Sequence, residues 1–489
     1  MENNDPVTTK ESDASNCQYT LVSLSVLLME DKKGKPTMKV TNTMKTIGVV
    51  GAALSACVSS AGTNTPTQSV DARIAALEQQ VAQLKADNSA NWLNDERAEE
   101  IRALVSEVMG DASKRTSLLA GGGTAGWDKH FYLASDDGSF KLNIKGVVQT
   151  RAVWNTRDNS GDDDSIFGFE MRRAKIYFAG NLFGSDFTYQ INGAFSRKGG
   201  AFELEDAWGA YQINDMTKVK WGQFKAPFLR EELTSSSAQV AVDRSYVNEL
   251  TTGNRIQGVQ VDWHEDQFRV LASWNSGWGF DFTGTNSGGE NTGFSGDGTD
   301  VAFTARGEFL AAGDNWKQFE DFQSWADDEF GMLIGGAIHY QKGETGTVSP
   351  ETDVLAWTVD ASAEFGGAHV EAWVVGESSD SSSTSVADYD QIGFVVTGGV
   401  FLIPDELELF GRWEYYDFDG ALAAGFDDQI NLFTVGTNYF WEGHNKKWTT
   451  DIVFAGDSIP DGSSGIGIEK DAVGQDGQII VRSQLQFKF

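Results

Sequence analysis

Cysteine and basic residues are scarce in this chain of 489 residues. Its two cysteines, Cys17 and Cys57, precede or border the mature chain that we expect, so neither a disulfide framework nor a thiolate metal site is available. Lys and Arg number 38 against 71 Asp and Glu, which gives a formal net charge of −33. A general nucleic-acid-binding surface needs the opposite balance, so we predict no nucleic-acid partner.

The chain also lacks the motifs of common catalytic and metal sites. Its five histidines include no H-E-x-x-H pair, and there is no G-x-S-x-G nucleophile motif. The Asp- and Ser-rich segments do not have the fixed ligand spacing of a calcium site. We therefore predict that the protein is not an enzyme and has no catalytic residue, no cofactor and no metal.

Glycine and aromatic residues, by contrast, are abundant. The chain has 54 Gly but seven Pro, and aromatic residues make up 12% of it, including 15 Trp. This composition is typical of many turns and of strands whose aromatic side chains form girdles at membrane interfaces.

The last thirteen residues, 477–489, alternate between apolar and polar side chains. The apolar parity holds Ile479, Val481, Leu485, Phe487 and Phe489, and the polar parity holds Arg482, Gln484, Gln486 and Lys488. Such a period of two predicts a strand with one apolar and one polar face. A strand that ends on a terminal Phe is similar to the closing strand of a bacterial outer-membrane β-barrel. We expect the barrel-assembly machinery to bind this strand.

The same alternation recurs along residues 131–489. It predicts sixteen strands, centred near residues 148, 175, 191, 208, 221, 259, 271, 305, 335, 359, 371, 396, 411, 435, 451 and 483. Short turns and long polar loops alternate between them, as a transmembrane barrel requires. We therefore predict an all-β fold, a transmembrane antiparallel β-barrel of about 16 strands.

One connection does not follow this rule. Residues 311–329 are long where a short turn is expected, and the spacing of Trp316, Phe319, Phe322 and Trp325 suggests a small amphipathic helix.

The N-terminal part of the chain has the pattern of an exported protein. Residues 1–37 resemble a non-native or disordered extension, residues 38–61 a signal peptide, and residues 62–69 a spacer. Met38 or Met44 is then the true start. In an alternative interpretation, the sequence up to Cys57 resembles a lipoprotein cleavage site, with Cys57 lipidated. In both cases the protein leaves the cytoplasm.

A helical segment precedes the predicted barrel at residues 70–110. Apolar residues recur there at spacings of four and three: Val70, Ile74, Leu77, Val81 and Leu84. This spacing predicts a short periplasmic coiled coil and, with it, an oligomer, which we expect to be a trimer. The alternative is one amphipathic helix packed on another surface. Residues 111–130 contain a G-x-G-x-x-G pattern outside any βαβ unit, so we interpret them as a Gly-rich linker.

Five stretches carry a resemblance to a known family. Leu204-Glu205-Asp206-Ala207-Trp208, the run from Trp221 to Phe228, and Asp243-Arg244-Ser245 resemble the phosphate-selective porin O and P family, as do Arg172-Arg173-Ala174 and the run from Gly436 to Phe440. The resemblance covers roughly residues 130–489. It implies a usually trimeric barrel of sixteen strands whose long loop after the fifth strand, here about residues 225–254, folds inward and narrows the pore.

Basic residues of this loop and of lumen-facing parity are the candidate functional residues. Fixed charges in a constriction filter ions, or they pin the loop to the barrel wall through ion pairs. Acidic residues such as Glu308 and Glu371 share the lumen, so the sign of the ion preference stays open. The predicted pore-lining or constriction residues are Arg151, Arg173, Lys175, Lys220, Lys225, Arg230, Arg244, Arg306 and Arg412.

These observations predict an outer-membrane porin, a passive diffusion channel for small hydrophilic solutes or ions, including phosphate or other anions. Its outer wall would contact outer-membrane lipid, the chain would form a homotrimer, and its N-terminal segment would lie in the periplasm. The alternative is a non-conducting outer-membrane barrel with a role in adhesion or cell-envelope anchoring. A soluble β-sandwich enzyme is a third possibility.

Overall fold

The computed structural model describes residues 123–158, 164–278, 301–343, 352–381, 388–419, 425–463 and 465–489, with residues 75–76, 78–83, 291 and 299. The chain divides into two units, 1–101 and 102–489. In the first, residues 78–83 are helical and exposed. The extension, signal peptide and spacer lie outside the described residues, as does most of the segment 70–110, so the coiled coil stays a prediction.

Eighteen strands are present in the described residues of the second unit. The first two are β1 (Gly123–Trp127) and β2 (Phe131–Ser135). The other sixteen are β3 (Lys141–Asp158), β4 (Asp164–Asn181), β5 (Phe187–Phe195), β6 (Phe202–Asn214), β7 (Thr217–Lys225), β8 (Arg255–Glu265), β9 (Phe268–Asn275), β10 (Val301–Ala312), β11 (Gly331–Gly343), β12 (Thr352–Glu364), β13 (Ala368–Ser381), β14 (Tyr389–Ile403), β15 (Leu407–Asp417), β16 (Gln429–Glu442), β17 (Lys446–Ala455) and β18 (Asp476–Lys488).

Strands β3 to β18 close into an antiparallel barrel. Each strand pairs with the next one in the chain, and β18 returns to pair with β3 from Lys488 opposite Val147 to Asp476 opposite Asp158. Each of the sixteen predicted strand centres lies inside one of these strands. The prediction of a sixteen-stranded barrel is therefore confirmed, and the soluble β-sandwich is wrong because the sheet closes on itself. Among the described residues, no helix has the length and apolar character needed to cross a membrane.

The barrel is apolar outside and polar inside. In β18, Phe487 and Ile479 are 44% and 48% exposed, whereas Gln486 and Arg482 are almost fully buried. The outer face of the hairpin β12–β13 carries Trp357 and other large apolar side chains in the same way. Since a bilayer hides such an outer surface from water, this pattern agrees with a membrane-spanning wall.

Residues 123–127 correct part of the linker prediction for 111–130. They form β1, which pairs with β2, and β2 pairs with β3 from Phe131 opposite Ile144 to Ala134 opposite Lys141. A Cβ atom at Gly126 would lie within 3 Å of the Tyr132 ring. Gly126 thus allows close contact between β1 and β2. The Gly-rich composition of this segment had indicated a linker and not a strand.

The two ends of the barrel differ. The chain terminus Phe489 and the tight connections, such as the turn at Gly366 and Gly367, lie at one end, which we call the short-turn end. The connection from β10 to β11, residues 313–330, is the long exception there. It contains a 3₁₀-helix, Trp316–Glu320, with Phe319 buried. Of the predicted small amphipathic helix, only Trp316–Glu320 is helical, as a short 3₁₀-helix, and Phe322 and Trp325 lie beyond its end.

The connection between β7 and β8 contains two short helices, α1 (Arg230–Leu233) and α2 (Tyr246–Thr251). The main apolar core lies inside the barrel, where Phe228, Leu229 and Val247 of this connection pack with Trp373, Tyr416 and other residues of the β13–β18 wall.

We expect Asp451→Ala to destabilise the barrel by about 3–5 kcal/mol, because it leaves the buried Arg482 guanidinium without the carboxylate that lies 2.7 Å away. The measurement is the temperature at which the folded band is lost from unboiled gels. Lys218→Ala is the control, since the Lys218 side chain is 37% exposed and its ion pair with Asp262 contributes at most about 1 kcal/mol. An equal loss of thermal stability in both variants would contradict the stabilising role of the ion pair between Asp451 and Arg482.

Candidate functional site

The connection between β7 and β8, residues 226–254, lies inside the barrel, and we call it the inner loop. Five of its six charged residues, Arg230, Glu231, Glu232, Asp243 and Arg244, are each at most 7% exposed. Loops normally run over the surface, where water satisfies their polar groups. The inner loop follows the fifth strand of the barrel, as the family resemblance implied.

A local hydrogen-bond network shapes the inner loop. The Ser245 hydroxyl accepts from the backbone N–H of Asn248 and so caps α2. It also donates to a Glu231 carboxylate oxygen at 2.5 Å, which joins α2 to α1. Asn248 in turn donates to Glu232 at 3.3 Å. Polar groups that cannot reach water are thus paired within the loop.

Asp243 fixes the inner loop to the barrel wall. Its carboxylate accepts from three guanidinium groups, those of Arg151 at 2.8 Å, Arg172 at 2.6 Å and Arg173 at 2.6 Å. Burial alone would raise the pKa of Asp243, but these cations hold its pKa well below the ordinary value. The loop is therefore held by an ionised, fully buried carboxylate.

Three further arginines join the inner loop to other parts of the interior. Arg230 donates to the Ser362 hydroxyl at 2.6 Å, and Arg412 donates to the Asp243 carbonyl at 3.1 Å. Arg306 binds Asp360 of the wall and the Phe228 carbonyl of the loop. These contacts anchor the inner loop to the barrel wall.

The connection between β10 and β11 meets the inner loop at the short-turn end. Arg230 donates to the carbonyls of Phe319 and Asp321, and Phe322 packs in a buried cluster with Val240 of the inner loop. Asp321 also lies 3.1 Å from His444 in the turn between β16 and β17. Together, the two connections fill the side of the lumen next to the later strands.

The remaining space is a cavity of about 1210 Å³ between the inner loop and strands β4 to β9, which we call the lumen cavity. Five of the nine predicted site residues border it, and Arg151, Arg230, Arg306 and Arg412 do not. The five are Arg173, Lys175, Lys220, Lys225 and Arg244.

The prediction of site residues omitted five basic residues that border the lumen cavity: Arg172, Arg197, Lys198, Arg255 and Arg269. Arg172 was missed because β4 has a bulge there. Gln149 pairs with Arg173 while Thr150 pairs with Met171, so Arg172 is an extra residue on its strand. A bulge of this kind breaks the alternation of faces on which the prediction depended. The consecutive arginines Arg172 and Arg173 were the feature of the sequence that could have indicated a second lumen-facing side chain here.

The lumen cavity is basic although the whole chain is acidic. Its lining includes ten Lys and Arg but six Asp and Glu. Two of the carboxylates each contact two cations of the same lining: Glu205 contacts Lys175 and Arg255, and Glu232 contacts Lys225 and Arg244. Burial opposes ionisation of Glu232, but the nearby cations lower its pKa to about 2. Each of these carboxylates therefore neutralises only part of the positive charge around it.

Aromatic rings border one of the less strongly paired cations. The Lys220 ammonium lies 5.0 Å from the centre of the Phe224 ring and 5.6 Å from that of Trp208, and 4.0 Å from the nearest Asp262 oxygen. Within the described part of the chain, no group of three or more His, Cys, Asp and Glu could hold a metal ion.

Comparison with known proteins gives a family match and several similar folds. The family model described as "Phosphate-selective porin O and P" matches residues 150–451. The search of curated proteins finds no match.

Solved structures with a similar fold come from several bacteria. The anion-selective porin from Comamonas acidovorans is 14% identical, with 71% of this chain and 99% of that chain covered and a TM-score of 0.48. The trimer form of OmpT from Vibrio cholerae is 11% identical, with 71% and 99% covered and a TM-score of 0.45. OprB from Pseudomonas putida is 10% identical, with 71% and 94% covered and a TM-score of 0.41.

The family match spans more than half of the chain and includes the inner loop and most barrel strands. The chain therefore belongs to the phosphate-selective porin O and P family, and it is an outer-membrane channel for small solutes.

Proposed function

We propose that the lumen cavity is the permeation path of a passive channel that prefers small hydrophilic anions. The observation that carries this proposal is the excess of ten basic over six acidic residues in the cavity lining. Rings and rows of Lys and Arg lower the electrostatic barrier for anions and raise it for cations. The other acidic residues in the described part of the chain do not border this cavity.

No chemical step is involved, and flux follows the concentration gradient. An anion exchanges part of its hydration shell for the N–H donors of Arg173, Lys175, Lys220, Lys225 and Arg244 in turn. Because carboxylates share these donors, each contact is weak enough to be left again, which conduction requires. We propose weak selectivity among small anions, phosphate included.

The other four predicted site residues have a different role in this proposal. Arg151, Arg230, Arg306 and Arg412 keep the inner loop against the opposite wall and so set the width of the path. They act on permeation through the loop rather than through contact with the permeating ion.

The topology supports a sidedness for the channel. Outer-membrane barrels have short periplasmic turns and longer external loops. The hairpin β1–β2 and Phe489 lie at the short-turn end. We therefore place the N-terminal segment 70–110 in the periplasm, after export by the signal peptide 38–61. In this proposal its coiled coil joins three chains into a homotrimer, and the assembly machinery binds the strand that ends at Phe489.

Lys220→Glu tests the proposed path. We expect the anion-over-cation permeability ratio to fall at least about fivefold, because one unit charge at about 4 Å contributes about 1 kcal/mol even in bulk water. The measurement is the reversal potential in planar bilayers under a KCl gradient. Lys218→Glu is the matched control, because it makes the same charge change on the same strand but does not border the lumen cavity. Cation preference in the wild type would overturn the proposal.

Asp243→Asn tests the anchoring of the inner loop. It leaves three arginines without their shared carboxylate, which costs about 3–5 kcal/mol for a buried pair, so we expect a larger and noisier single-channel conductance. Glu170→Gln is the control, since Glu170 pairs with Arg151 and Arg197 but is 28% exposed. A conductance as steady as that of the wild type would contradict the anchoring role.

The same anchor predicts the response of the wild type to acid. The depressed pKa of Asp243 means that its stabilisation is present above the ordinary Asp value and is lost only as the pH falls through the lower folded value. The conductance should therefore stay steady from neutral pH down to about pH 4. A noisy, enlarged conductance already in that range would show that another group controls the loop.

A further inference from the structure

Glu205 enters the lumen because of a bulge in β6. Asn192 of β5 pairs with Asp206, whereas Gly193 pairs with Leu204, so Glu205 is an extra residue with no partner in the register. A regular strand directs consecutive side chains to opposite faces. Here both Glu205 and Asp206 border the lumen cavity, and the preceding Leu204 is exposed outside. The bulge therefore places two consecutive carboxylates, those of Glu205 and Asp206, on the lumen side of β6.

Three donors surround the Glu205 carboxylate. One oxygen lies 2.5 Å from Lys175 Nζ. The other lies 3.2 Å from Arg255 Nη2 and accepts a hydrogen bond from Asn192 Nδ2 at 3.1 Å. These donors come from three different strands and converge on this carboxylate, while Arg255 also pairs through its Nε with Asp206 at 3.0 Å. We call Lys175, Arg255 and Asn192 the oxyanion pocket.

The chemistry of this pocket is that of a binding position for a small oxyanion. A carboxylate and a phosphate both bind through charge-assisted hydrogen bonds from ammonium, guanidinium and amide groups. The Glu205 side chain is 14% exposed and borders the lumen cavity, so a permeating anion can reach the donors that it holds. A tethered group has a high effective concentration and must be displaced before a free one can bind.

We propose that Glu205 is a built-in competitor that occupies the oxyanion pocket and keeps the affinity of the channel for small oxyanions low. This inference rests on the proposed anion path through the lumen cavity. It makes Glu205 a specificity-determining residue: its carboxylate converts a position that could retain an oxyanion into one that only passes it on. Lys175 and Arg255 supply the attraction, and Glu205 limits its strength.

Glu205→Gln tests this role, with inorganic phosphate as the probe and chloride as the current carrier. The variant keeps the shape of the side chain but removes its charge. The phosphate concentration that halves the chloride conductance should fall about tenfold, since phosphate no longer competes with a charged acceptor for the same donors. Glu203→Gln is the matched control, with the same charge change on the same strand and the same cavity, outside the oxyanion pocket. It removes one charge from the lining but leaves the oxyanion pocket occupied, so its phosphate inhibition should shift much less than that of Glu205→Gln.

Glu205→Asp is a second variant that keeps the charge but shortens the side chain by one methylene. It cannot span Lys175 and Arg255 as Glu does, so its phosphate inhibition should lie between those of the wild type and Glu205→Gln. Folding of each variant is checked by its heat-modifiable gel band. If Glu205→Gln does not fold, the test rests on Glu205→Asp. In that case, phosphate inhibition of Glu205→Asp equal to that of the wild type overturns the inference.

Two other results would also overturn it. Unchanged phosphate inhibition in Glu205→Gln would show that the oxyanion pocket takes no external anion. An equal increase in phosphate inhibition in Glu205→Gln and Glu203→Gln would show that only the overall electrostatic field of the lumen cavity has changed. A wild type that prefers cations by reversal potential refutes the proposed path itself, so the two failures are distinguishable.

Discussion

The contact of Asp243 with Arg151, Arg172 and Arg173 is the constraint on which the interior depends. Sixteen strands enclose a lumen wide enough for an aqueous channel, so the barrel alone does not define a path. Because an ionised carboxylate inside protein must be paired, the position of Asp243 follows from that of the three guanidiniums. The inner loop is then held to one side, and the lumen cavity is what it leaves free.

Local charge and total charge have opposite signs in this molecule. The chain carries a formal net charge of −33, but the lining of the lumen cavity has an excess of basic residues. Exposed charges are screened beyond about 8 to 10 Å at physiological salt, whereas charges in a narrow cleft with low-dielectric walls focus their field on the path. The ion that the channel favours is therefore decided by the walls next to it.

The strands could be predicted from sequence because lipid outside and water inside impose a period of two on each of them. The candidate site could be predicted only in part. Arg172 and Glu205 lie at β-bulges, where a shift in the register with the neighbouring strand interrupts the alternation of faces. The division of basic residues into anchors such as Arg306 and cavity residues such as Lys175 depends on which wall the inner loop packs against. That choice follows from contacts between residues far apart in the chain.

The first barrel strand, β3, has a divided edge, since β2 pairs with its beginning and β18 with the rest. The β2 pairing is between neighbours in the sequence and can form early, whereas β18 is the last strand of the chain. Long-range pairings form slowly because the loop-closure entropy must be overcome first. Until β18 pairs with it, β3 therefore has an open edge, and the short β2 segment occupies the part of that edge that β18 does not reach.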